Sequence, residues 1–230
     1  MHVPDGFLDA PTSVATAVVA AGAVGLALSR ARRELDDRTA PLAGLVAVFV
    51  FAAQMLNFPV GAGTSGHLLG GALAAVLVGP WTATLCLTVV LAVQSLLFAD
   101  GGITALGTNV VLMGVVGVWT GWLVFVGLRR LVRSAGVRVV PALAGVAAVV
   151  SVPVAALTFT ALYAVGGHAP IPLGELAAAM LGWHTVIGLG EGVITFLAVG
   201  SIIATRPDLV HGARGLAAAR ELEIRTGVHA

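Results

Sequence analysis

The sequence predicts an all-α integral membrane protein with seven transmembrane helices, its amino terminus outside the cell and its carboxyl terminus in the cytoplasm. Three observations predict it. First, 58% of the 230 residues are hydrophobic and only 10% are charged, with 30 glycines, whereas a soluble domain carries about a quarter charged residues. Second, the apolar residues come in continuous runs, which fit helices and not the alternating strands of a barrel. Third, the basic residues are all arginine and fall in three clusters.

A bilayer span needs roughly 20 apolar residues, and seven candidate spans follow one another along the chain. The first, Thr12–Ser29, carries small residues at every fourth position (Ser13, Ala17, Ala21, Gly25, Ser29), a ridge that lets another helix approach closely. The second, Ala40–Phe58, ends in Gln54-Met55-Leu56-Asn57-Phe58-Pro59. The third, His67–Gly79, is short, with Ser65 or Thr64 as the expected helix cap. Only Gly79-Pro80 parts it from the fourth, Trp81–Ala99, so a tight hairpin or broken pair is expected there. Leu106–Leu128 and Val139–Val165 are the fifth and sixth. The seventh, Leu176–Ala204, is long and Gly-rich, with room for an interfacial start before Trp183. Trp81, Trp119, Trp122 and Trp183 are scattered and read as packing or interface anchors. No strands are expected.

Arginine placement sets the orientation. Arg30, Arg32, Arg33 and Arg38 lie between spans one and two, and Arg129, Arg130, Arg133 and Arg138 between spans five and six. Arg206, Arg214, Arg220 and Arg225 follow span seven. With seven spans these segments share one side, which the positive-inside rule makes cytoplasmic. Residues 1–205 then form one membrane domain, and 206–230 a solvated cytoplasmic tail with a short amphipathic helix around Leu216–Ile224. The amino terminus and the loops at Phe58–Gly66, Asp100–Ala105 and Gly166–Glu175 face outward.

Several classes of chemistry are excluded. Without a single Lys there is no Walker A phosphate loop, so any ATP-driven step belongs to another polypeptide. One cysteine, Cys86, permits neither an internal disulfide nor a thiolate cluster. A net charge of +1 with no basic face gives no sign of nucleic acid.

The polar inventory gathers on the outer face. The chain opens Met1-His2-Val3-Pro4-Asp5-Gly6, with no basic leader before it, so Met1 is expected to be the mature amino terminus. An amine followed by His is a chelator: the Met1 nitrogen, the His2 amide nitrogen and His2 Nδ1 can close two fused rings on one metal ion. Nitrogen-rich square-planar donors suit Ni(II), Cu(II) or low-spin Co(II) rather than Zn or Mg. The same residues also fit an ordinary frayed end. His67, on the same side, is either an interfacial histidine or a fourth nitrogen for that ion. Asp100 is a loop acid or an acceptor that orients a ligand histidine. Gln54, Asn57, Ser65 and Asn109 are candidates to line the site, and Gln94 and Asn109 need partners inside apolar spans. His184 and Glu191 stand seven residues apart, hence on one helix face. Glu191 must face the protein interior, as a latch or as a functional group. His168, His211 and His229 show no partner pattern.

These segments resemble the CbiM/NikM substrate-binding membrane proteins of energy-coupling factor transporters for cobalt and nickel. The matching stretches are Met1 through Leu8, Gln54 through Gly70, Gln94 through Asn109 with Phe98-Ala99-Asp100-Gly101-Gly102, and His184 through Thr195 with Gly188-Leu189-Gly190-Glu191-Gly192. They occur in the expected order across nearly the whole chain, with Val3 where Ile is common. The resemblance implies seven transmembrane helices and an amino terminus tucked back into the bundle. It implies Met1 nitrogen, His2 backbone nitrogen, His2 imidazole and His67 as ligands of a transported Co²⁺ or Ni²⁺, with no resident cofactor and no enzymatic activity. It also implies a plasma-membrane location and partners: a transmembrane coupling subunit, a pair of ATP-binding cassette ATPases and a small accessory membrane subunit.

The main rival is an enzyme. Gly63-Thr64-Ser65-Gly66 spells the GxSG of rhomboid intramembrane proteases, with Ser65 as nucleophile and His184 as base, though a four-residue match is weak. A secondary transporter would need coupling carboxylates within spans, and only Glu191 qualifies.

Overall fold

The computed structural model describes residues 1–36, 39–61, 64–132 and 135–216. Helix α1 spans Ala10–Arg30 and α2 spans Ala40–Gln54. Strands β1 (Phe58–Gly61) and β2 (Thr64–Gly66) pair antiparallel, with Phe58 opposite Gly66 and Pro59 opposite Ser65. Then come α3 (Gly71–Val78), α4 (Pro80–Leu97) and α5 (Leu106–Leu131), the last winding into a π-helix over Val110–Gly117. Helices α6 (Val140–Gly166) and α7 (Leu173–Thr205) complete the bundle.

Each start has a local cause. Asp9 caps α1 by accepting the Thr12 N–H at 2.9 Å, and Pro11 sits in the first turn, where its missing N–H costs nothing. Helices α6 and α7 approach through glycine: a Cβ on Gly145 would stand 2.9 Å from the Gly192 carbonyl. Only glycine permits that contact, and it fixes the face that α7 turns inward.

Among the described residues, five helices are long and apolar enough on their own to cross a bilayer; α2 has 15 residues and α3 only 8. Two expectations change. The apolar run of α2 gives way to the β1–β2 hairpin, so strands are present where none were expected. The hairpin was invisible because strands of four and three residues are too short to alternate. Nor do Ser65 and Thr64 cap α3. Strand β2 ends at Gly66, and the helix begins only after Gly70, with no side-chain cap of its own. Thr64 Oγ1 instead donates to the Gly61 carbonyl at 2.7 Å.

Glu191 of α7 does the capping from a distance. The Leu69 N–H donates to Oε2 at 2.7 Å and the Gly70 N–H to Oε1 at 2.9 Å. A carboxylate there satisfies two orphan donors and complements the positive end of the α3 dipole. Glu191 is therefore a latch, and it holds the segment that carries His67. Every residue of α3 is buried, so this short helix is the axis around which α2, α4, α5 and α6 pack.

The opposite end is tied by arginines. Arg129 donates to the carbonyls of Gly212 (2.9 Å) and Arg214 (3.2 Å), and Arg214 donates to the Glu34 carbonyl at 2.7 Å. The Glu34 carboxylate accepts the N–H groups of Trp81 and Thr82 at the start of α4. Val210 and Ala213 belong to the core, so the first part of the expected solvated tail is packed against the bundle. Arg38, Arg133, Arg220, Arg225, His229 and the helix expected beyond Leu216 lie outside the described residues, as does Gly63.

Candidate metal site

The first nine residues are threaded into the bundle by backbone bonds. The Asp9 N–H donates to the Gly166 carbonyl at 2.7 Å and the His168 N–H to the Phe7 carbonyl at 3.0 Å. The Phe7 ring packs on Phe159 and Tyr163. Asn109 brackets Val3, accepting its N–H at 2.8 Å and donating to its carbonyl at 3.1 Å. The Gly102 N–H donates to the same carbonyl at 2.9 Å. A Cβ on Gly102 would lie 2.3 Å from the Asp5 nitrogen, so only glycine lets the 98–105 loop close over the peptide. Asp5 accepts the Thr104 N–H at 2.7 Å, and that bond with the Thr104 hydroxyl lowers its pKa. His168, read as lacking a partner pattern, contributes only its backbone.

Met1 and His2 are delivered inside as a result, with 1% and 7% of their surface exposed. Burial pushes the Met1 amine well below the usual amine range, against the opposing pull of Asp100. That shift favours the neutral amine, the form that can donate a lone pair.

Three imidazoles share one pattern. His2 Nε2 donates to Gln94 Oε1 at 3.1 Å, His67 Nδ1 to the Leu68 carbonyl at 2.9 Å, and His184 Nδ1 to the Met180 carbonyl at 2.8 Å. A carbonyl or amide oxygen accepts only, so the proton sits on those nitrogens in the neutral rings. His67 Nε2 and His184 Nε2 are buried with no hydrogen-bond partner, and buried His2 Nδ1 faces the Asp100 carboxylate. The rings of His2 and His67 stack with centroids 4.4 Å apart. A bare lone pair is not satisfied by another, and an unpaired buried polar group costs about 1–3 kcal/mol, a cost that an electron acceptor such as a metal ion would relieve.

Around them, Asp100 Oδ1 comes within 3.2 Å of His2 Nδ1, and Asn57 Nδ2 donates to Asp100 Oδ2 at 3.2 Å. Gln54 Nε2 donates to the Leu69 carbonyl at 2.8 Å, steadying the segment after His67. An open cleft of about 440 Å³ leads in from the surface, lined by His2, Asn57, Thr64, Ser65 and Asp100 among others. The residues singled out from the sequence thus converge, Met1, His2 and His67 with Gln54, Asn57, Ser65, Asp100 and Asn109. Among the described residues, no three His, Cys, Asp or Glu side chains form a metal site by themselves. A site here draws on the amine and on backbone nitrogen.

Residues 2–209 match the family model of CbiM, described as the cobalt uptake substrate-specific transmembrane region. The chain belongs to the CbiM family. The cobalt transport protein CbiM of Sorangium cellulosum is 38% identical over 190 residues, 82% of this chain and 84% of that one. The fused nickel transport protein NikMN of Rhodobacter capsulatus is 34% identical over 242 residues, all of this chain and 70% of that one. A crystal structure of a truncated transition metal transporter superposes with a TM-score of 0.82 at 27% identity, covering 89% of this chain and 99% of that one.

As a CbiM-family chain it is a multi-pass membrane component of cobalt or nickel transport, and the protease reading finds no support. His184 Nδ1 is committed to Met180 and Nε2 has no partner, so no hydrogen bond activates Ser65. Two residues had been left open in the sequence. Gln94, read as helix–helix glue or as lining the site, takes the His2 Nε2 bond, and His184, given a role only as the base of the protease rival, adds a second bare nitrogen beside that of His67.

Proposed function

We propose that this chain is the substrate-specific component of an energy-coupling factor transporter, capturing Co²⁺ or Ni²⁺ at the outer face. The ligands are the Met1 amine, the His2 amide nitrogen, His2 Nδ1 and His67 Nε2. One observation carries the reading: the buried His67 Nε2 has no partner, and its ring stacks 4.4 Å from that of His2, the neighbour of the enclosed Met1 amine. Four nitrogens of this kind suit Ni(II) or Co(II). The ion is cargo, and no resident cofactor is required. Its import draws on partners, a transmembrane coupling subunit, two ATPases and a small accessory subunit, because a chain without Lys has no Walker A loop. Reconstituted alone in vesicles, the protein should bind ions without ATP turnover, and uptake should require the partners. ATP hydrolysis by the isolated chain would sink this reading.

The same proposal places the protein in the plasma membrane with seven crossings and the amino terminus outside. Helices α2 and α3 then cross together with the extended segments beside them. The arginine clusters motivate the orientation. With Cys86 replaced by Ala, an impermeant thiol reagent applied to intact cells should label Ile103→Cys and spare Arg33→Cys; both positions are exposed. Labelling at 33 would reverse the topology.

A further inference from the structure

The turn around Asp100 is built to aim its carboxylate. Ala99 before it takes a φ of 53° and Gly101 after it a φ of 91°; the first is a conformation that a residue with a Cβ rarely adopts. The Asp100 N–H donates to the Gln94 carbonyl in the last turn of α4 at 3.1 Å, and Oδ2 accepts from Asn57 Nδ2 at 3.2 Å. A Cβ on Gly101 would lie 3.0 Å from Asn109 Nδ2 and 3.2 Å from His2 Cδ2, so the loop sits directly on the first residues. Together these constraints hold Asp100 Oδ1 3.2 Å from His2 Nδ1.

That pair is a contact between two acceptors. The His2 Nε2 proton goes to Gln94 Oε1, so Nδ1 of the neutral ring offers a lone pair, and a carboxylate oxygen offers nothing else. Nδ1 is buried with no hydrogen-bond partner. Only a positive charge, a proton or a metal cation, satisfies both atoms at once. Their separation suits a metal: donors that hold one ion at right angles through bonds of about 2.1 Å stand roughly 3 Å apart. Both residues also line the open cleft, and among the described residues that line it Asp100 is the one acid.

We propose that Asp100 Oδ1 and His2 Nδ1 form an entry site, where a divalent cation coming down the cleft gains its first protein donors before it reaches the four nitrogens. The inference rests on the metal site proposed above and extends it outward by one step. His2 Nδ1 belongs to both sites, so the ion exchanges an oxygen for nitrogens while it keeps one bond. Asp100 is absent from the final ligand set, and its charge acts on the rate of capture. A carboxylate in a cleft raises the local cation concentration and speeds association by about tenfold or more, an effect that salt screens. A residue that only oriented His2 would act mainly on dissociation.

The test uses the full chain in detergent with Ni(II) as the probe, with stopped-flow mixing to read association and a chelator chase to read dissociation. Asp100→Asn keeps the size of the side chain and one acceptor oxygen and removes the charge. Its association rate at low salt should fall about tenfold, and most of the native salt dependence should vanish with it. Dissociation should change by less than about threefold, and the visible spectrum of bound Ni(II) should be that of the native protein. Glu175→Gln, which removes the same charge from the exposed first turn of α7, should bind at the native rate. Unchanged association in Asp100→Asn would overturn the proposal, as would an affinity loss carried mainly by dissociation. Equal slowing in Glu175→Gln would overturn it too, because general surface charge would then set the rate. A changed Ni(II) spectrum would do the same, since Asp100 would be a lasting ligand. If the Asn protein is not recovered, Asp100→Ser is judged by the same criteria. Failure of the native chain to bind Ni(II) or Co(II) would instead strike the metal-site reading beneath it.

Discussion

Replacing His67 with Ala is expected to weaken Ni(II) or Co(II) binding by more than about a hundredfold, beyond the range typical of losing an outer-shell partner. The imidazole is fully buried, its Nδ1 proton is held by the Leu68 carbonyl, and its Nε2 has no use in the metal-free protein. Removing it takes away one of four equatorial donors and opens the site to water. The fold should persist, because the segment around position 67 is anchored by Gln54 and Glu191 through backbone groups of Leu69 and Gly70. Isothermal titration of the variant, alongside its metal-free melting curve, separates the two effects. Native-like affinity would exclude His67 as a ligand.

Glu191→Ala should have the largest effect on stability, a loss of about 2–6 kcal/mol. Two buried N–H donors, those of Leu69 and Gly70, would lose their acceptor, and each costs about 1–3 kcal/mol when left unpaired. Glu191→Gln should fall between, since one amide oxygen replaces two carboxylate oxygens. Metal binding should fall in parallel, because the freed segment carries His67. Thermal unfolding in detergent reads the first effect. An unchanged midpoint for Glu191→Ala would show that α3 needs no latch.

How much of this was legible beforehand depends on how local each signal is. The membrane class rests on composition and continuous apolar runs, and the candidate ligands Met1, His2 and His67 rest on residue chemistry alone. The hairpin was hidden because seven residues give no periodicity. The true start of α3 was hidden because Ser65 and Thr64 look like caps, while the real acceptor lies 122 residues beyond Leu69. Glu191 showed that it needed a partner, not which one. His184 looked like half of a spacing pattern; its unpaired Nε2 depends on a bond to Met180 that only the fold displays.

The most direct test is the metal content of two preparations, one with Met1 as the free amino terminus and one with a single residue added before it. The extension converts the Met1 nitrogen from an amine to a peptide amide and displaces the new amine from the chelate ring, leaving every side chain in place. Ligand deprotonation makes affinity pH-dependent, so both are loaded with Ni(II) or Co(II) at one pH and assayed by mass spectrometry. The account predicts equimolar metal in the native protein and essentially none in the extended one. Equal metal in both would remove the amino terminus from the site and contradict the account.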